Sequence, residues 1–474
     1  MPNTLPFLLL LLPTILLGTT LTSAASPRAA KGFLLVASLA FYAWNAPSSL
    51  PILILSVTTN ILLTRAIATA TTHKTRITIL GVTANLALLA WFKYAAPILG
   101  LPDNLPLGIS FFTFAQIGLL LAQAASDQPP PSAATQALFV TFFPTVTSGP
   151  ILNPTETLPQ FSRASGWRVT QANLAVGAGF FLIGLLKKSV LADPLGALVA
   201  QHFALAPDLT LPRAWWTAGA WSMQLYFDFS GYTDMAIGLG WMLGFRLPDN
   251  FDQPYKARCV IDYWQRWHMS LTRFLMINVH APLTMAVLRR RRRHGRRIDD
   301  TARRTLSGFL TMMAGPIVTT MILIGVWHGP RWTYVLFGLL HAGFLLVNHA
   351  WRLWKGPALP PPLSIGLTYL AVLAGAVLFR ADTPIQAAHL LAGMLGLHER
   401  AVAPDLRAML DALWLAGLYA IVWGAPTTRQ IMRADPRSWL RWAPTPRWAA
   451  AMGCAVTLGL LAAGGTGEFV YFRF

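Results

Sequence analysis

Apolar residues are grouped along the chain into blocks separated by polar connections, and many blocks approach the roughly 17 to 25 residues that span a bilayer as a helix. In chain order the blocks lie at residues 5–22, 33–44, 50–64, 77–92, 105–121, 138–151, 172–191, 215–245, 306–327, 334–350, 363–379, 410–423 and 449–463. This pattern predicts an all-α, polytopic membrane protein with about 11 to 12 transmembrane helices. We expect a single membrane-embedded domain over residues 1–474, without an internal repeat.

Two of the blocks contain residues that interrupt a helix. Block 105–121 is short and begins with Pro106, so it is either a re-entrant segment enclosed by protein or a plain span. Block 138–151 contains Pro144 and Pro150, which predict a kink or break near the membrane. Two connections are also assigned: a surface connection at residues 153–168 and an interfacial helix at residues 386–397.

Composition and charge agree with a membrane location, since 54% of the residues are hydrophobic and 12% are charged. The formal net charge of +19 comes from short basic clusters between apolar blocks. The positive-inside rule explains these clusters without nucleic acid, for which no recognition module is visible. Residues 289–304 contain nine arginines opposed only by Asp299 and Asp300, which predicts a cytoplasmic loop. The same rule places the N-terminus and Phe474 outside, and block 5–22 is expected to be a retained span.

One histidine stands at the end of block 306–327. His328 lies between Trp327 and the helix-breaking pair Gly329-Pro330. An ionisable side chain at membrane depth is costly and marks a functional site by default, although a histidine near a helix end can also simply bond a neighbouring carbonyl. At 1.5 Å per residue the block rises roughly 33 Å, so His328 is expected beyond the midplane, far from the arginines. We take His328 as the first candidate for chemistry.

A second polar group lies inside block 215–245. Two carboxylates, two tyrosines and a serine occur among apolar residues here, including Asp228, Ser230, Tyr232 and Asp234. Buried polar groups at that density must satisfy one another or face water. The stretch therefore forms either a wall of an internal cavity or a structural hydrogen-bond cluster.

A third stretch, at residues 261–271, combines charge with aromatic residues. On a helix Asp262 and Arg266 are four residues apart and can pair, while Trp264, Trp267 and His268 share a neighbouring face. One interpretation is an aromatic amphipathic helix at the membrane interface. The other is that His268 lies at the mouth of a site that His328 completes.

Several familiar catalytic motifs are missing from the sequence. It contains no glycine-rich phosphate loop, no His-Glu-x-x-His motif and no Gly-x-Ser-x-Gly motif. The two cysteines, Cys259 and Cys454, are too few and too far apart for a disulfide framework or a zinc site. We therefore expect no metal and no tightly bound cofactor, and chemistry that comes from histidines and carboxylates.

Nine stretches of the chain follow one known sequence pattern: residues 38–44, 106–114, 148–151, 226–234, 244–255, 262–271, 326–329, 379–381 and 469–474. Taken together, they resemble the membrane-bound O-acyltransferase family, and within it the bacterial branch that acetylates polysaccharides such as alginate. The resemblance implies a ring of tilted helices around a central passage, with a catalytic core at about residues 105–350. It implies that His328 is the catalytic histidine and His268 the second characteristic one. Asp262, Trp267, Trp327 and the polar residues of 228–234 would line or support the passage.

The resemblance also implies a reaction across a bacterial inner membrane. An acyl group, most simply acetyl, would move from a cytoplasmic thioester such as acetyl-CoA or an acyl carrier to a hydroxyl on the outer side. The expected acceptor is an exopolysaccharide such as alginate or cellulose. The expected partners, besides membrane lipids, are a periplasmic acetyltransferase or a polysaccharide synthase and export complex.

Residues 276–282 read Met-Ile-Asn-Val-His-Ala-Pro, where relatives have a run like Arg-Asp-Tyr-Leu-Tyr-Ile-Pro. This difference bears on which acceptor or partner the protein uses more than on which reaction it catalyses. Two alternatives stay open. One is D-alanyl transfer to teichoic acid, and the other is a non-enzymatic transporter or scaffold in which His328 relays protons or has only a structural role.

Overall fold

The computed structural model describes residues 3–101, 105–162, 169–398 and 406–462. Regular secondary structure in these ranges is helical, apart from one isolated antiparallel bridge between Phe251 and Trp267. The all-α prediction is therefore confirmed. The motif at residues 469–474 and the outward position predicted for Phe474 lie outside the described residues.

The α-helices of the described residues are, in chain order, α1 (Leu12–Ala25), α2 (Pro27–Asn45), α3 (Leu50–Thr69), α4 (Lys74–Ala90), α5 (Ala96–Ile98), α6 (Ile109–Ala124), α7 (Ala133–Thr141), α8 (Pro154–Phe161), α9 (Gln171–Leu186), α10 (Asp193–Ala204), α11 (Leu211–Met242), α12 (Val260–Trp264), α13 (Met269–Leu275), α14 (Ala281–Arg293), α15 (Asp300–Arg304), α16 (Leu306–Phe309), α17 (Gly315–His328), α18 (Trp332–Leu353), α19 (Pro361–Arg380), α20 (Pro384–Met394), α21 (Leu406–Gly424), α22 (Thr428–Met432) and α23 (Pro446–Ala462). Short π-helices occur at Phe7–Leu11, Trp91–Ala95, Lys187–Ala192, Met276–His280 and Leu310–Ala314. Single 3₁₀ turns occur at Pro47–Ser49, Ala206–Asp208 and Pro254–Lys256.

Nine helical segments among the described residues are long and apolar enough to cross a membrane. They are Phe7–Ala25, Pro47–Thr69, Lys74–Ile98, Gln171–Ala204, Met269–Arg293, Leu306–His328, Trp332–Leu353, Pro361–Arg380 and Leu406–Gly424. The multi-pass prediction is confirmed. The remaining predicted spans correspond to α2, α6, α7, α11 and α23. The segment Met269–Arg293 was missed because Asn278, His280 and the arginines interrupt its apolar pattern.

The described residues fall into two compact units. Unit 1 draws on Met1–Val190, Asp228–Asp249 and Thr428–Arg473, and unit 2 on Leu191–Phe227 and Asn250–Thr427. The helix α11 runs without a break from Leu211 to Met242, so the polar residues in block 215–245 do not interrupt it.

In unit 1 the predicted break after residue 138 is confirmed. α7 ends at Thr141, and residues 142–152 are buried without forming a helix. Gly108 approaches this stretch with φ of 69°, and a Cβ there would lie 2.1 Å from the carbonyl oxygen of Val146, so only glycine fits. The following helix, α6, has 16 residues and is buried on most sides, packing against α3 and α4. It rises about 24 Å, less than the hydrocarbon thickness, as the re-entrant alternative requires.

The surface connection predicted for residues 153–168 is wrong for its first half. α8 forms at Pro154–Phe161, with the Asn153 side chain accepting a hydrogen bond from the Thr155 N–H. Phe161 is buried and packs edge-on against Phe139 and Phe142, with ring centroids 5.6 and 5.2 Å apart. These apolar contacts pack one face of the helix against the core, while Thr155, Glu156 and Pro159 on it are exposed. Residues 163–168 lie outside the described residues.

In unit 2, α17 and α18 pack at close range through two glycines. A Cβ at Gly325 would lie 2.2 Å from the Tyr334 carbonyl oxygen, and one at Gly338 would lie 2.3 Å from that of Met321. Small residues at such crossings let two helix backbones approach closely. The pair therefore holds the end of α17, where His328 is located, in a defined position.

The predicted arginine loop is partly helical, because its arginines lie in α14 and α15 as well as between them. The Asp299 side chain caps α15 by accepting a hydrogen bond from the Ala302 N–H. This bond and the Arg297 guanidinium hold the pKa of the Asp299 carboxyl below its usual range.

Candidate active site

His328 is the last residue of α17. Gly329 follows with φ of 146°, a value that favours glycine, and ends the helix. The imidazole is only 4% exposed and lies among aromatic rings. The Phe379 ring meets it edge-on at 4.7 Å between centroids, and the Tyr334 ring lies at 5.9 Å. Charge that develops on a group in such an apolar pocket is poorly screened, so its interactions are strong.

The turn after α12 positions His268. α12 ends at Trp264, and His268 adopts φ of 44°, which is uncommon for a residue other than glycine and clusters at functional sites. The prediction that Trp267 and His268 continue one helix with Asp262 is therefore wrong. Trp267 and His268 are 6% and 1% exposed, which is inconsistent with a surface-lying interfacial helix.

Asn250 fixes the imidazole of His268. Its Oδ1 accepts hydrogen bonds from the Ser270 N–H at 3.1 Å and the Ser270 hydroxyl at 2.8 Å, so this atom is the acceptor. The same Oδ1 lies 3.2 Å from His268 Nδ1. Nδ1 of the neutral ring therefore carries the proton, and Nε2 carries the lone pair. This arrangement orients His268 as a base or hydrogen-bond acceptor through Nε2.

Trp327 lies between the two histidines. Its ring centroid is 6.4 Å from that of His268 and 4.5 Å from that of His328. Three residues singled out from the sequence thus lie close together in unit 2, with both histidines buried and Trp327 partly exposed. Their catalytic roles stay predictions.

Asp262 and Trp267 build the turn that carries His268. The Asp262 carboxylate accepts hydrogen bonds from Arg266 Nε at 2.7 Å, as predicted from their spacing, and from the Arg258 N–H at 3.0 Å. Trp267 stacks on Tyr263 with centroids 5.8 Å apart and planes inclined by 16°. These contacts support structural roles for both residues, and the proposed lining of a passage stays a prediction.

The acidic residues of α11 are paired in unit 1. Lys188 Nζ lies 2.8 Å from Asp228 Oδ1, and each side chain is 2% exposed. Lys187 Nζ lies 2.6 Å from Asp234 Oδ2. The two lysines are consecutive and begin the π-helix Lys187–Ala192.

The hydroxyl residues of the same stretch are also buried. Tyr232 shares a hydrogen bond with the Thr147 hydroxyl, and Ser230 is 2% exposed. Nearby, the α9 and α11 backbones meet at Gly184 and Gly231, where a Cβ on Gly184 would lie 2.5 Å from the Gly231 carbonyl oxygen. These contacts favour the structural-cluster alternative for residues 226–234, while a passage role stays a prediction.

A cavity of about 460 Å³ lies in unit 2, bordered by residues of α12–α14, α17 and α18. Its walls are mainly apolar and include Met312, Met321 and Ile324. Three basic side chains also line it: His280, His349 and Arg303. Among the described residues, no three His, Cys, Asp or Glu side chains gather as metal ligands. The cavity is therefore mainly apolar, with the Arg303 guanidinium as the permanently charged group at its wall.

Sequence reasoning overlooked several of these residues. His341 is 1% exposed, and its ring centroid lies 5.3 Å from that of Trp264. It lies within block 334–350, and the cost of an ionisable group at membrane depth, applied there as it was to His328, could have found it. The same argument applies to His280. No local signal identifies Asn250, because its contact with His268 exists only after the chain reverses between them.

Comparison with known proteins points to one family. Residues 40–296 match the MBOAT, membrane-bound O-acyltransferase family. The chain is 34% identical to the peptidoglycan O-acetyltransferase of Helicobacter pylori, over 84% of this chain and 80% of that protein. It is 33% identical to the probable alginate O-acetylase AlgI of Azotobacter vinelandii, over 87% of this chain and 81% of that protein. It is 27% identical to the teichoic acid D-alanyltransferase of Streptococcus thermophilus, over 52% of this chain and 57% of that protein.

Proposed function

The chain belongs to the membrane-bound O-acyltransferase family and is a multi-pass membrane enzyme, and we propose that it O-acetylates a bacterial polysaccharide from the inner membrane. Two relatives that align with most of the chain are named as acetyl-transferring proteins, a peptidoglycan O-acetyltransferase and a probable alginate O-acetylase. The D-alanyl transfer alternative has weaker support, since that relative matches only about half of the chain.

In the proposed reaction His328 acts as a general base. Its imidazole takes the proton of the acceptor hydroxyl while the hydroxyl oxygen attacks the thioester carbonyl carbon. The carbon–sulfur bond then breaks, and the proton passes from the imidazole to the departing thiolate. General-base catalysis typically contributes about 10² to 10⁴ in rate. The aromatic pocket around His328 supports this role because it limits competing hydrolysis by water.

His268 is proposed to orient a reactant rather than to act as a second base. Its Nε2 lone pair can accept a hydrogen bond, for example from the acceptor hydroxyl, while Asn250 holds the ring through Nδ1. The strained φ of 44° supports this proposal, because a costly conformation is retained where it positions a functional group.

The donor is proposed to be acetyl-CoA or another acetyl thioester that enters from the cytoplasm. Two observations support this direction: the arginines of residues 289–304, which the positive-inside rule places in the cytoplasm, and Arg303, which lines the cavity. The acceptor lies on the outer side and is proposed to be an exopolysaccharide, alginate or cellulose, reached directly or through a periplasmic acetyltransferase that relays the acetyl group.

The observation that carries the proposal is the proximity of two buried histidines, His268 and His328, to the Trp327 ring in a chain of this family. Purified protein in detergent should transfer label from [¹⁴C]acetyl-CoA to polysaccharide fragments and release free CoA. His328→Ala should abolish most of this transfer. His73→Ala, which changes an exposed histidine in unit 1, is the matched control and should behave like the wild type.

Other outcomes would point elsewhere. A transporter or scaffold would release no CoA. Transfer only from a D-alanyl carrier would favour the teichoic acid alternative. Mass spectrometry of the cell's surface polysaccharide, with and without the gene, would identify the acceptor.

A further inference from the structure

A strongly basic surface lies in unit 2 where α14 ends. Five consecutive arginines, residues 289–293, form this end, and residues 281–298 contain no Asp or Glu. Asp299 and Asp300 each pair with another arginine of the connection. Like charges three and four residues apart on a helix repel one another, and the negative end of the helix dipole offsets only part of that repulsion. The end of α14 therefore requires anions from outside the chain.

Four of the five arginines extend away from the protein. Their side chains are exposed and have no hydrogen bond or ion pair within the part of the chain that the structure describes. We call them the exposed arginines: Arg289, Arg290, Arg292 and Arg293.

The fifth arginine has a structural role instead. Arg291 Nη1 donates a hydrogen bond to the Thr311 hydroxyl at 2.8 Å. Its Nε and Nη2 donate to the Arg297 carbonyl oxygen at 3.3 and 3.2 Å. These bonds join the end of α14 to the chain that follows, so the exposed arginines project from a defined turn.

Apolar side chains on both flanks locate this turn relative to the membrane. Met285, one helical turn before Arg289, is 49% exposed. Leu306 and Leu310, shortly after Arg304, are 72% and 52% exposed. Large apolar side chains exposed on membrane-spanning segments face lipid tails, whereas Arg is costly there. The change from one to the other within about one turn places the exposed arginines at the hydrocarbon boundary.

Tryptophans give an independent sign of the same boundary. Trp351 and Trp354, at the end of α18, are 45% and 51% exposed. The Trp354 ring lies 5.2 Å from that of Phe309, which is on α16 directly after the arginine connection. Tryptophan is enriched at the level of lipid headgroups. The end of α18 and the arginine connection thus lie at one membrane surface.

The arrangement of the charges indicates the class of ligand. A guanidinium presents a fork of N–H donors that matches the oxygens of a phosphate. At 3.6 residues per turn, successive side chains lie about 100° apart around α14, so the exposed arginines point in several directions. That spread matches several separate headgroups better than one docked protein. Basic segments next to a membrane span attract anionic lipids in this way.

We propose that the exposed arginines bind the phosphate headgroups of anionic phospholipids in the surrounding bilayer, and that these lipids stabilise the end of α14. The inference goes beyond the proposed function, because it assumes neither a donor nor an acceptor. The phosphates of coenzyme A share the same chemistry, so the test includes coenzyme A as a separate ligand.

The test is thermal unfolding of the full-length protein in a nonionic detergent, titrated with dioleoyl phosphatidylglycerol. This lipid should raise the melting temperature of the wild type, and dioleoyl phosphatidylcholine should not. The main variant is Arg289→Gln/Arg290→Gln/Arg292→Gln/Arg293→Gln. One arginine near an anionic surface contributes a factor of about five in affinity, so the half-maximal phosphatidylglycerol concentration should rise by about 10² or more. Without lipid this variant should melt at the wild-type temperature or higher, because repulsion is removed.

Arg291→Gln is the matched control, since it changes an arginine of the same turn that bonds to protein atoms. It should melt at a lower temperature in detergent, because it loses the bonds to Thr311 and to the Arg297 carbonyl. Its half-maximal phosphatidylglycerol concentration should change by no more than the factor of about five expected for one charge. Replacing the four exposed arginines with lysine keeps their charge and should retain most of the lipid response.

A salt titration tests the wild type without any substitution. Raising NaCl from about 0.1 M to about 1 M shortens the screening length from about 10 Å to about 3 Å and should remove the lipid response. The proposal is overturned if the glutamine variant keeps the wild-type response, if the lysine variant loses it, or if the response persists in high salt. It is also overturned if phosphatidylcholine acts as well as phosphatidylglycerol, or if coenzyme A, and not the lipid, gives the shift that depends on these arginines.

Discussion

Removing the carboxylate of Asp228 should destabilise the protein far more than removing an exposed one. In unit 1, Asp228 and Lys188 are paired at 2.8 Å with both side chains 2% exposed. Asp228→Ala leaves the Lys188 ammonium buried without its partner carboxylate. Breaking a buried ion pair in this way typically costs about 3–5 kcal/mol, because the remaining charge is desolvated.

Two further variants provide the comparison for the loss of stability in Asp228→Ala. The double variant Lys188→Met/Asp228→Leu removes both charges and fills similar volume, so it should recover most of the loss. The exposed pair Lys74–Asp127, also in unit 1, has its atoms 3.3 Å apart, and the Asp127 side chain is fully exposed. Asp127→Ala should therefore leave the melting temperature unchanged, because water screens that pair.

Thermal unfolding in detergent, followed by tryptophan fluorescence, measures these differences, and acetyl transfer per folded molecule is measured on the same samples. The reasoning fails if Asp228→Ala melts like the wild type. It also fails if the double variant folds normally but loses transfer, because Asp228 would then act in the passage rather than in a structural cluster.

Four other predictions follow from the candidate site and the topology. His328→Ala should keep wild-type melting and donor binding while acetyl transfer falls by at least about 10², and an unfolded variant or near-normal transfer would contradict the base role. Trp267→Ala should lower stability, whereas His268→Ala should lower turnover, and unchanged transfer by folded His268→Ala would exclude it from the site. Asn250→Leu should reduce kcat more than the KM for the donor, because it frees the His268 ring, and equal effects on both would refute the orienting role. Cysteines placed in residues 289–304 should not react with an impermeant thiol reagent in intact spheroplasts, and labelling there would contradict the predicted cytoplasmic location of this segment.

Much of the helical fold could be predicted from local pattern. Backbone groups in a bilayer must bond within their own helix, so the length of an apolar block reveals a span. The break after residue 138 and the end of the helix at His328 follow from proline and glycine. The span Met269–Arg293 was missed, since polar residues obscure its pattern. α8 was missed although its sequence carries a start signal, the Asn153 cap followed by Pro154.

The sequence by itself determined that this is a membrane protein and where most of its spans lie, because both depend on hydropathy. Short motifs also identified His268, Trp327 and His328 as candidate site residues. Only the tertiary structure decided that Asn250 selects the tautomer of His268 and that Trp264 lines a cavity and packs edge-on against His341. It also decided that Asp228 is paired with Lys188. Each of these contacts joins residues that are separated in the chain. Where helices lie in an apolar solvent, their arrangement depends on the fit of small residues such as Gly325 and Gly338 and on buried polar pairs. Hydrophobic periodicity carries no information about which helix faces meet.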